Sequence, residues 1–453
     1  MTSGPGTGQR RREAALLFAV MALAWASSLS GAFQFDDFAV IVDEPAVQSL
    51  GAWWASMPGM RPLLKLSYAL NHATGWGLAG FHAVNLAVHA TCTALLWSLL
   101  LAWLPKAGLE QPRAAQLAWI AAMIFALHPV QTEAVTYLSG RSMSLMVLFS
   151  LAALRLGLAS RNAGRWPDAS AWGAAACVGA ALAVRETAWV TVPALALLAA
   201  AGGEPLSAAW RRVAPSALVL GCAAAAIVAL PAYRELLWNA VSRRETASLL
   251  ATQADAIGYL LTRPLLLLET NVDPDLRPST ALSPQALPGL FIIGLLLAGA
   301  AWQWRLRPWL SVALAWPILM LLPGYSVLAR ADVANDRHLY LAIMGPAIVA
   351  GAALLTLRRP ARIGAVALLA VTLGLVTIAR NADYSSETAL WLATVATSPD
   401  KPRAWTNLGY ARMVEGDLPG ARSALQKALA LDPAYAKARY NLAEVESRIA
   451  AGH

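Results

Sequence analysis

The sequence contains little charge. Only 13% of its 453 residues are Asp, Glu, Lys or Arg, whereas soluble domains carry about 25%. Hydrophobic residues make up 58%, and the mean hydropathy is +0.52. This composition excludes a soluble enzyme with one anchor and predicts a chain that crosses a membrane many times.

Cysteine is also scarce, and the three cysteines, Cys92, Cys177 and Cys222, each lie in or beside an apolar run. They predict no disulfide framework, and no Cys-x-x-Cys spacing is present. No His pair has the ligand spacing of a zinc site. The sequence therefore predicts no metal centre, although two adjacent acids near residue 36 would permit a divalent cation.

The net charge is +9, but the basic residues do not form the single polar segment that would indicate nucleic-acid binding. They lie in short loops between apolar runs, as in the cytoplasmic loops of membrane proteins. Counted from a cytoplasmic N-terminus, every predicted inside loop is basic, through Lys106, Arg113, Arg161, Arg165, Arg211, Arg212, Arg305, Arg307, Arg358, Arg359 and Arg362.

Apolar runs of about 20 residues are long enough to cross a bilayer, and we predict eleven spans within a membrane domain at residues 1–380. The C-terminal region then lies outside. A cleaved signal peptide is the less favoured interpretation of the first run. The predicted spans are residues 14–32, 81–104, 114–128, 142–159, 170–185, 187–201, 214–231, 286–303, 309–324, 339–357 and 363–379.

The predicted outside loops mix acids, histidines and arginines. The first, residues 33–80, begins with the adjacent acids Asp36 and Asp37, and the longest is the fourth, residues 232–285. Ionisable groups at a membrane boundary are functional candidates by default, and we expect these to line one site. The further candidates are Arg61, Lys65, His128, Glu133, Arg141, Arg185, Glu186, Arg337 and His338.

Two further segments each have two interpretations. His82, Asn85 and His89 are spaced three and four residues apart, so they share one helical face. We favour hydrogen bonds to neighbouring helices over substrate contact for this face, and for His128 and His338. Residues 254–269 either lie in the membrane interface against a lipid-linked substrate or form another span.

The composition changes after residue 380. The stretch "AWTNLGYARMVEGDLPGARSALQKALALDPAY" fits a tetratricopeptide repeat, flanked by a partial repeat on each side. We therefore predict a helical repeat domain at residues 381–453, whose usual role is protein binding. The matching positions are Trp405, Leu408, Gly409, Ala421, Leu425, Ala428 and Pro433.

The order of the motifs resembles one family. "FDDFAVI", "RPLLKLSYALN", "GFHAVNLAVHA", "FALHPVQTEAVTYLSGR", "RETAWV" and "NDRHLYLA", followed by the repeat, resemble the transmembrane and tetratricopeptide-repeat O-mannosyltransferases and their bacterial relatives. The resemblance implies an all-α, polytopic membrane C-type glycosyltransferase fold. It also implies transfer of a mannose-like sugar from a polyprenyl phosphate to Ser or Thr hydroxyls of a protein outside the cytoplasm.

The same resemblance implies that an acid of the first outside loop is the catalytic base. We expect Asp36 to be the base and Asp37 to support it, and the reverse assignment is the alternative. His128, Glu133 and Arg141 match the family's His-Pro, Glu-Ala-Val and Gly-Arg elements. Arg185 replaces a common lysine before Glu186, and "NDRHLY" replaces a more usual Glu-Arg-Tyr-Leu-Tyr pattern. The implied location is the bacterial inner membrane, with the repeats outside.

The chemistry agrees with the resemblance. A hydroxyl nucleophile needs a positioned base, and a departing lipid phosphate needs fixed cations. Arg337 is the preferred phosphate ligand, with Arg141, Arg61 and Lys65 as further candidates, because arginine binds phosphate oxygens in bidentate fashion. The absence of a glycine-rich phosphate loop argues against a nucleotide-sugar donor.

Three alternatives remain at this stage. The acceptor is an envelope polysaccharide or lipid glycan instead of a protein, or the chain is a non-enzymatic membrane scaffold that presents its repeats. A transporter with His82, Asn85 and His89 along its path is less favoured, because the membrane part has no internal repeat and its charges lie on one side.

Overall fold

The structure is a computed structural model that describes residues 7–160, 167–242, 246–269, 271–279, 286–326 and 332–451. Arg161 and Arg165 and parts of the fourth outside loop lie outside the described residues. Within those ranges the chain forms α-helices, short 3₁₀ segments, one π-helical turn at Phe38–Val42 and no strand, as the all-α prediction requires.

In the described part of the chain, seventeen α-helices precede the C-terminal helices. They are α1 Thr7–Trp25, α2 Leu50–Ala55, α3 Pro62–Thr74, α4 Gly77–Trp103, α5 Arg113–Leu127, α6 Thr132–Val135, α7 Arg141–Ala159, α8 Ala169–Val184, α9 Thr191–Ala201, α10 Leu206–Ala229, α11 Pro231–Ser242, α12 Thr246–Thr262, α13 Ala286–Gln303, α14 Pro308–Leu321, α15 Leu339–Ala342, α16 Met344–Leu354 and α17 Arg359–Asp383.

Each of the eleven predicted spans coincides with a helix, but fewer helices have the length expected of a span. Among the described residues, four helices are long and apolar enough to cross a membrane, and the number rises to six if each of two bent helix pairs is one span. Four shorter apolar helices, of 10–17 residues, accompany them. The count of eleven therefore stays a prediction.

Both bends bring polar residues to the same region. The axis turns by 54° between α5 and the segment Pro129–Val135, and by 57° between Asp336–Ala342 and α16. Pro129 removes a backbone donor at the first bend, and the amide of Gln131 bonds the freed carbonyls of Phe125 and Tyr340, each at 3.3 Å. Glu133 and Arg337 lie on these two bent segments.

The polar face of α4 is used for packing between helices. Asn85 donates to the Val135 carbonyl at 3.0 Å, and His89 contacts the Tyr340 hydroxyl at 2.7 Å and the Ala126 carbonyl at 3.1 Å. His82 contacts the Gly31 carbonyl at 3.1 Å. These contacts agree with the favoured interpretation of the face.

Four C-terminal helices stack in order along the chain. They are α18 Glu387–Thr397, α19 Pro402–Glu415, α20 Leu418–Leu431 and α21 Ala436–Ala450. Gly416 adopts φ +86° at the end of α19, a conformation that suits glycine, and Gly409 allows α19 to approach Leu425 on α20. The helix α17 continues to Asp383, three residues beyond the predicted domain boundary.

Gly140 provides a test of the contact between α6 and α7. A Cβ atom at this position would lie 2.1 Å from the backbone oxygen of Glu133, so we expect Gly140→Ala to destabilise the fold by about 1–3 kcal/mol through overpacking. Thermal unfolding of the purified protein measures the effect. Gly364→Ala is the control, because a Cβ atom at Gly364 would meet no atom of another element within 4 Å. Equal melting temperatures for the two variants would contradict the packing.

Candidate functional site

A narrow recess lies where the predicted outside loops meet the C-terminal helices. Its cavity volume is about 20 Å³, which is room for about one water molecule. Four of the five predicted outside loops contribute to it, as does the C-terminal region. The lining residues are Phe35, Asp36, Glu133, Tyr137, Val272, Asp273, Asp332, Asn335, Arg337, Leu390, Trp391 and Arg403.

Asp36 lies on this recess in an unusual backbone turn. Phe35, which precedes it, has φ +43°, and Phe35 and Arg61 are the non-glycine residues with positive φ in the described part of the chain. Such a conformation costs about 1–3 kcal/mol and persists only when its surroundings hold it. The backbone N–H of Asp36 donates to the Tyr137 hydroxyl at 2.9 Å.

Asp37 has a different environment from its neighbour. Its side chain is fully buried, and its two oxygens accept the backbone N–H groups of Gln34 at 3.0 Å and Ser139 at 2.7 Å. Burial raises the pKa of Asp37 to about 7, against the lowering effect of those hydrogen bonds. A pKa near neutrality suits a general base, but both oxygens already bind the backbone, so the geometry assigns Asp37 to holding the turn.

Arg337 and Glu133 lie side by side on the recess. Glu133 accepts the backbone N–H of Arg337 at 2.9 Å, and its other oxygen lies 3.6 Å from the Arg337 Nε. That separation is too long for a hydrogen bond, so the Nε has an ion-pair partner but no hydrogen-bond partner among the described residues. The Arg337 guanidinium thus pairs with one carboxylate and borders the cavity.

Asn335 is a candidate that the sequence reasoning missed. It is 3% exposed and lines the recess, and its Oδ1 has no hydrogen-bond partner within the described ranges. A buried amide oxygen without a partner is costly unless a ligand supplies the donor. The sequence feature that could have identified Asn335 is its position two residues before Arg337 in "NDRHLY".

Several predicted residues lie away from the recess. Arg61 forms a bidentate pair with Glu186, at 3.0–3.3 Å, and Lys65 pairs with Glu44 at 3.3 Å. These two cations therefore have carboxylate partners, and neither lines the cavity that contains Asp36.

Arg141 is the most enclosed of the predicted phosphate ligands. It is fully buried and donates to Asn85 and Asn71, each at 2.6 Å, and to the carbonyls of Phe81 and Ser67 at 2.9 and 3.2 Å. With its donors committed to α3 and α4, it has the geometry of a packing residue.

The remaining predicted pocket residues contact other protein groups. Arg185 donates to the Ser142 hydroxyl at 3.0 Å and contacts His338, whose other ring nitrogen lies 2.6 Å from the Tyr325 hydroxyl. His128 accepts the Val130 N–H and contacts the Pro264 carbonyl at 3.1 Å. None of these side chains lines the recess.

Arg403 of the C-terminal region joins the recess to the outside loops. It binds the buried carboxylate of Asp273, which Lys401 also binds, and its third nitrogen lies 2.8 Å from Asp332. Burial would raise the pKa of Asp332, but Arg403 outweighs it and keeps that pKa below its usual value. No sequence signal marked Arg403, since the repeat pattern leaves this position open.

The described residues contain no group of three or more His, Cys, Asp or Glu side chains that could hold a metal ion. Asp36 and Asp37 are adjacent in sequence, but Asp37 uses both oxygens on backbone N–H groups. The recess itself is lined by carboxylates, guanidinium groups and an amide.

Comparison with known proteins supports the C-terminal assignment directly. Residues 402–435 match the tetratricopeptide repeat model, which corresponds to α19, α20 and the start of the following turn. The predicted repeat is confirmed over this range. No solved structure matches the chain.

Curated relatives match part of the chain. A protein O-mannosyl-transferase of Caenorhabditis elegans is 31% identical over 178 residues, covering 35% of this chain and 24% of the relative. The protein O-mannosyl-transferases TMTC4 of Mus musculus and TMTC1 of Homo sapiens are each 34% identical, over 157 and 176 residues, covering 29% and 33% of this chain. The chain thus spans about a quarter or less of the length of these relatives, 21% and 19% for the latter two.

The contact of Asp273 with Arg403 and Lys401 predicts how the C-terminal helices are held. Removing one partner from a buried ionic network costs about 3–5 kcal/mol, so we expect Asp273→Asn to expose the segment before α19 to protease. Limited proteolysis in detergent measures the rate of cleavage between residues 384 and 401. Asp275→Asn is the matched control, because the ion pair that Asp275 forms within the described residues is a long one, 3.8 Å from the exposed Arg277. Equal cleavage rates in both variants would contradict this role.

Proposed function

We propose that this protein is a membrane glycosyltransferase that moves a mannose-like sugar from a polyprenyl phosphate to Ser or Thr hydroxyls of a protein. The observation that carries the proposal is that Asp36 and Arg337 line one recess, as an acid–base residue and a phosphate ligand for this reaction should. The names of the curated relatives support the same reaction class.

The reaction follows from the chemistry of the two groups. The acceptor oxygen attacks the anomeric carbon of the sugar while its proton passes to the Asp36 carboxylate. The bond from that carbon to the phosphate oxygen breaks, and the electron pair leaves with the lipid phosphate. The new glycosidic bond replaces the old one, and the phosphate gains the negative charge.

Arg337 is suited to that developing charge. Glu133 accepts its backbone N–H and pairs with its guanidinium at 3.6 Å, so the guanidinium lies beside the recess, where a positioned cation stabilises charge that develops on the leaving group. Arg403 borders the same recess but is committed to Asp273 and Asp332. We therefore assign the leaving phosphate to Arg337, and the sugar to the region near Asn335, whose free amide oxygen accepts a hydroxyl.

The proposed orientation places the recess on the non-cytoplasmic side, with basic loops inside and the tetratricopeptide helices outside, in a bacterial inner membrane. The apolar helices beside the recess accommodate the polyprenyl chain.

The repeat favours a protein acceptor over an envelope polysaccharide, because tetratricopeptide helices commonly bind polypeptides. The helices α18 and α19 also form one wall of the recess.

The assignment of the base is tested by Asp36→Asn, which preserves shape and removes the proton-accepting charge. Positioned bases contribute typically 10²–10⁴-fold, so turnover should fall by roughly that factor. Transfer of radiolabelled mannose from a polyprenyl phosphate to host membrane proteins is measured at matched protein abundance. Asp43→Asn, in the same loop but exposed, should keep wild-type turnover. Wild-type turnover in Asp36→Asn would reject Asp36 as the base.

The phosphate ligand is tested by Arg337→Gln. Hydrogen bonds to charged groups contribute about 1.5–3 kcal/mol, so kcat/KM for the lipid-linked donor should fall roughly 10- to 100-fold. Arg307→Gln is the control, because Arg307 is exposed in a predicted inside loop. An unchanged kcat/KM in Arg337→Gln would mean that another cation binds the phosphate.

A further inference from the structure

We propose that Glu387, at the start of the first C-terminal helix, is a positioning residue that aims Asp36 into the recess. The proposal rests on the function proposed above and adds a residue that neither the motif order nor the relatives' names assign. It makes the C-terminal region a structural part of the reaction centre and extends its role beyond the capture of an acceptor.

The backbone of Phe35 has an unfavourable conformation. An aromatic residue has no intrinsic preference for φ +43°, because its Cβ crowds the backbone in this region. The direction in which Asp36 leaves the chain depends on that angle. Whatever holds Phe35 in this conformation therefore also decides where the Asp36 carboxylate points.

Glu387 is placed to hold Phe35. Its Oε1 accepts the backbone N–H of Phe35 at 3.0 Å. One turn further along α18, Trp391 receives the Phe35 ring in an edge-to-face contact with centroids 5.4 Å apart. The helix thus binds both the backbone and the side chain of the residue that has the unfavourable conformation.

The start of α18 is itself well fixed. The Ser386 hydroxyl caps the helix by accepting the Ala389 N–H at 3.1 Å, and Trp391 is 3% exposed. Just before the helix, the Tyr384 carbonyl accepts the side-chain amide of Gln34 at 2.5 Å. A fixed helix end can impose an orientation on the loop that contacts it.

Further hydrogen bonds of the turn come from the membrane domain. Tyr137 accepts the Asp36 N–H, and Asp37 accepts the Gln34 and Ser139 N–H groups. These bonds fix the residues on both sides of Phe35 and leave its own N–H to Glu387. Loss of Glu387 should therefore release this one peptide unit while the rest of the turn stays in place.

The experiment compares four variants of the full-length protein with wild type. Glu387→Ala removes the acceptor oxygen, whereas Glu387→Gln retains it without the charge. Glu415→Ala is the matched control, because Glu415 is an exposed glutamate in the same helical region. Asp36→Asn reports on the proposed function. Turnover and donor KM are measured with radiolabelled mannosyl polyprenyl phosphate and host membrane proteins, and amide hydrogen exchange is followed in peptides covering residues 33–38.

Glu387→Ala should lower kcat by roughly 10- to 100-fold, the effect of a small misplacement of a reacting group, with donor KM within about twofold of wild type. Exchange at residues 33–38 should become faster. Glu387→Gln should restore both measurements, since an amide oxygen also accepts the Phe35 N–H, and Glu415→Ala should match wild type.

Unchanged exchange in Glu387→Ala would overturn the proposal, as would a Glu387→Gln variant as defective as Glu387→Ala. Wild-type kcat in Glu387→Ala together with a strongly impaired Asp36→Asn would overturn the positioning role alone. Wild-type turnover in Asp36→Asn would reject the proposed function, and the exchange measurement would still decide whether Glu387 holds the turn.

Discussion

Backbone groups that leave a helix within an apolar protein must find hydrogen-bond partners inside the protein. This requirement decides where the polar side chains of this protein are placed. The first loop and the two bent segments break the helical ladder beside the membrane domain. Their free backbone groups are bound by side chains, above all by Asp37, which joins the turn at Gln34 to Ser139. His89, Asn85 and Gln131 do the same for the carbonyls of Ala126, Val135 and Tyr340.

This requirement gives the polar residues different roles. Asp37 and Arg141 are buried and donate to or accept from backbone groups. Arg337 and Asn335, each with a polar atom that has no hydrogen-bond partner in the described part of the chain, border the recess. The pair Asp36 and Asp37 shows the difference in two adjacent residues, because successive side chains in a turn point in different directions.

The C-terminal helices extend the same network outward. Arg403 and Lys401 neutralise Asp273, and Asn271 donates to Ser398 at 2.7 Å, so the repeat region is joined to the fourth loop by charged and polar contacts. Glu387 and Trp391 reach the first loop. The recess therefore has one wall from a domain whose sequence, taken by itself, indicates only protein binding.

The all-α class, the apolar runs, the repeat at residues 402–435 and the positions of Asp36 and Arg337 at the ends of apolar segments can be read from the sequence. They depend on local composition and periodicity. The sequence does not show that Arg141, Arg61 and Lys65 are bound by other protein groups, that the Asp37 oxygens accept backbone N–H groups, that Asn335 and Arg403 line the recess, or that Glu387 binds Phe35. Those outcomes depend on contacts between residues as far apart as Phe35 and Glu387, and the partner of a polar side chain is set by which segments the fold brings together.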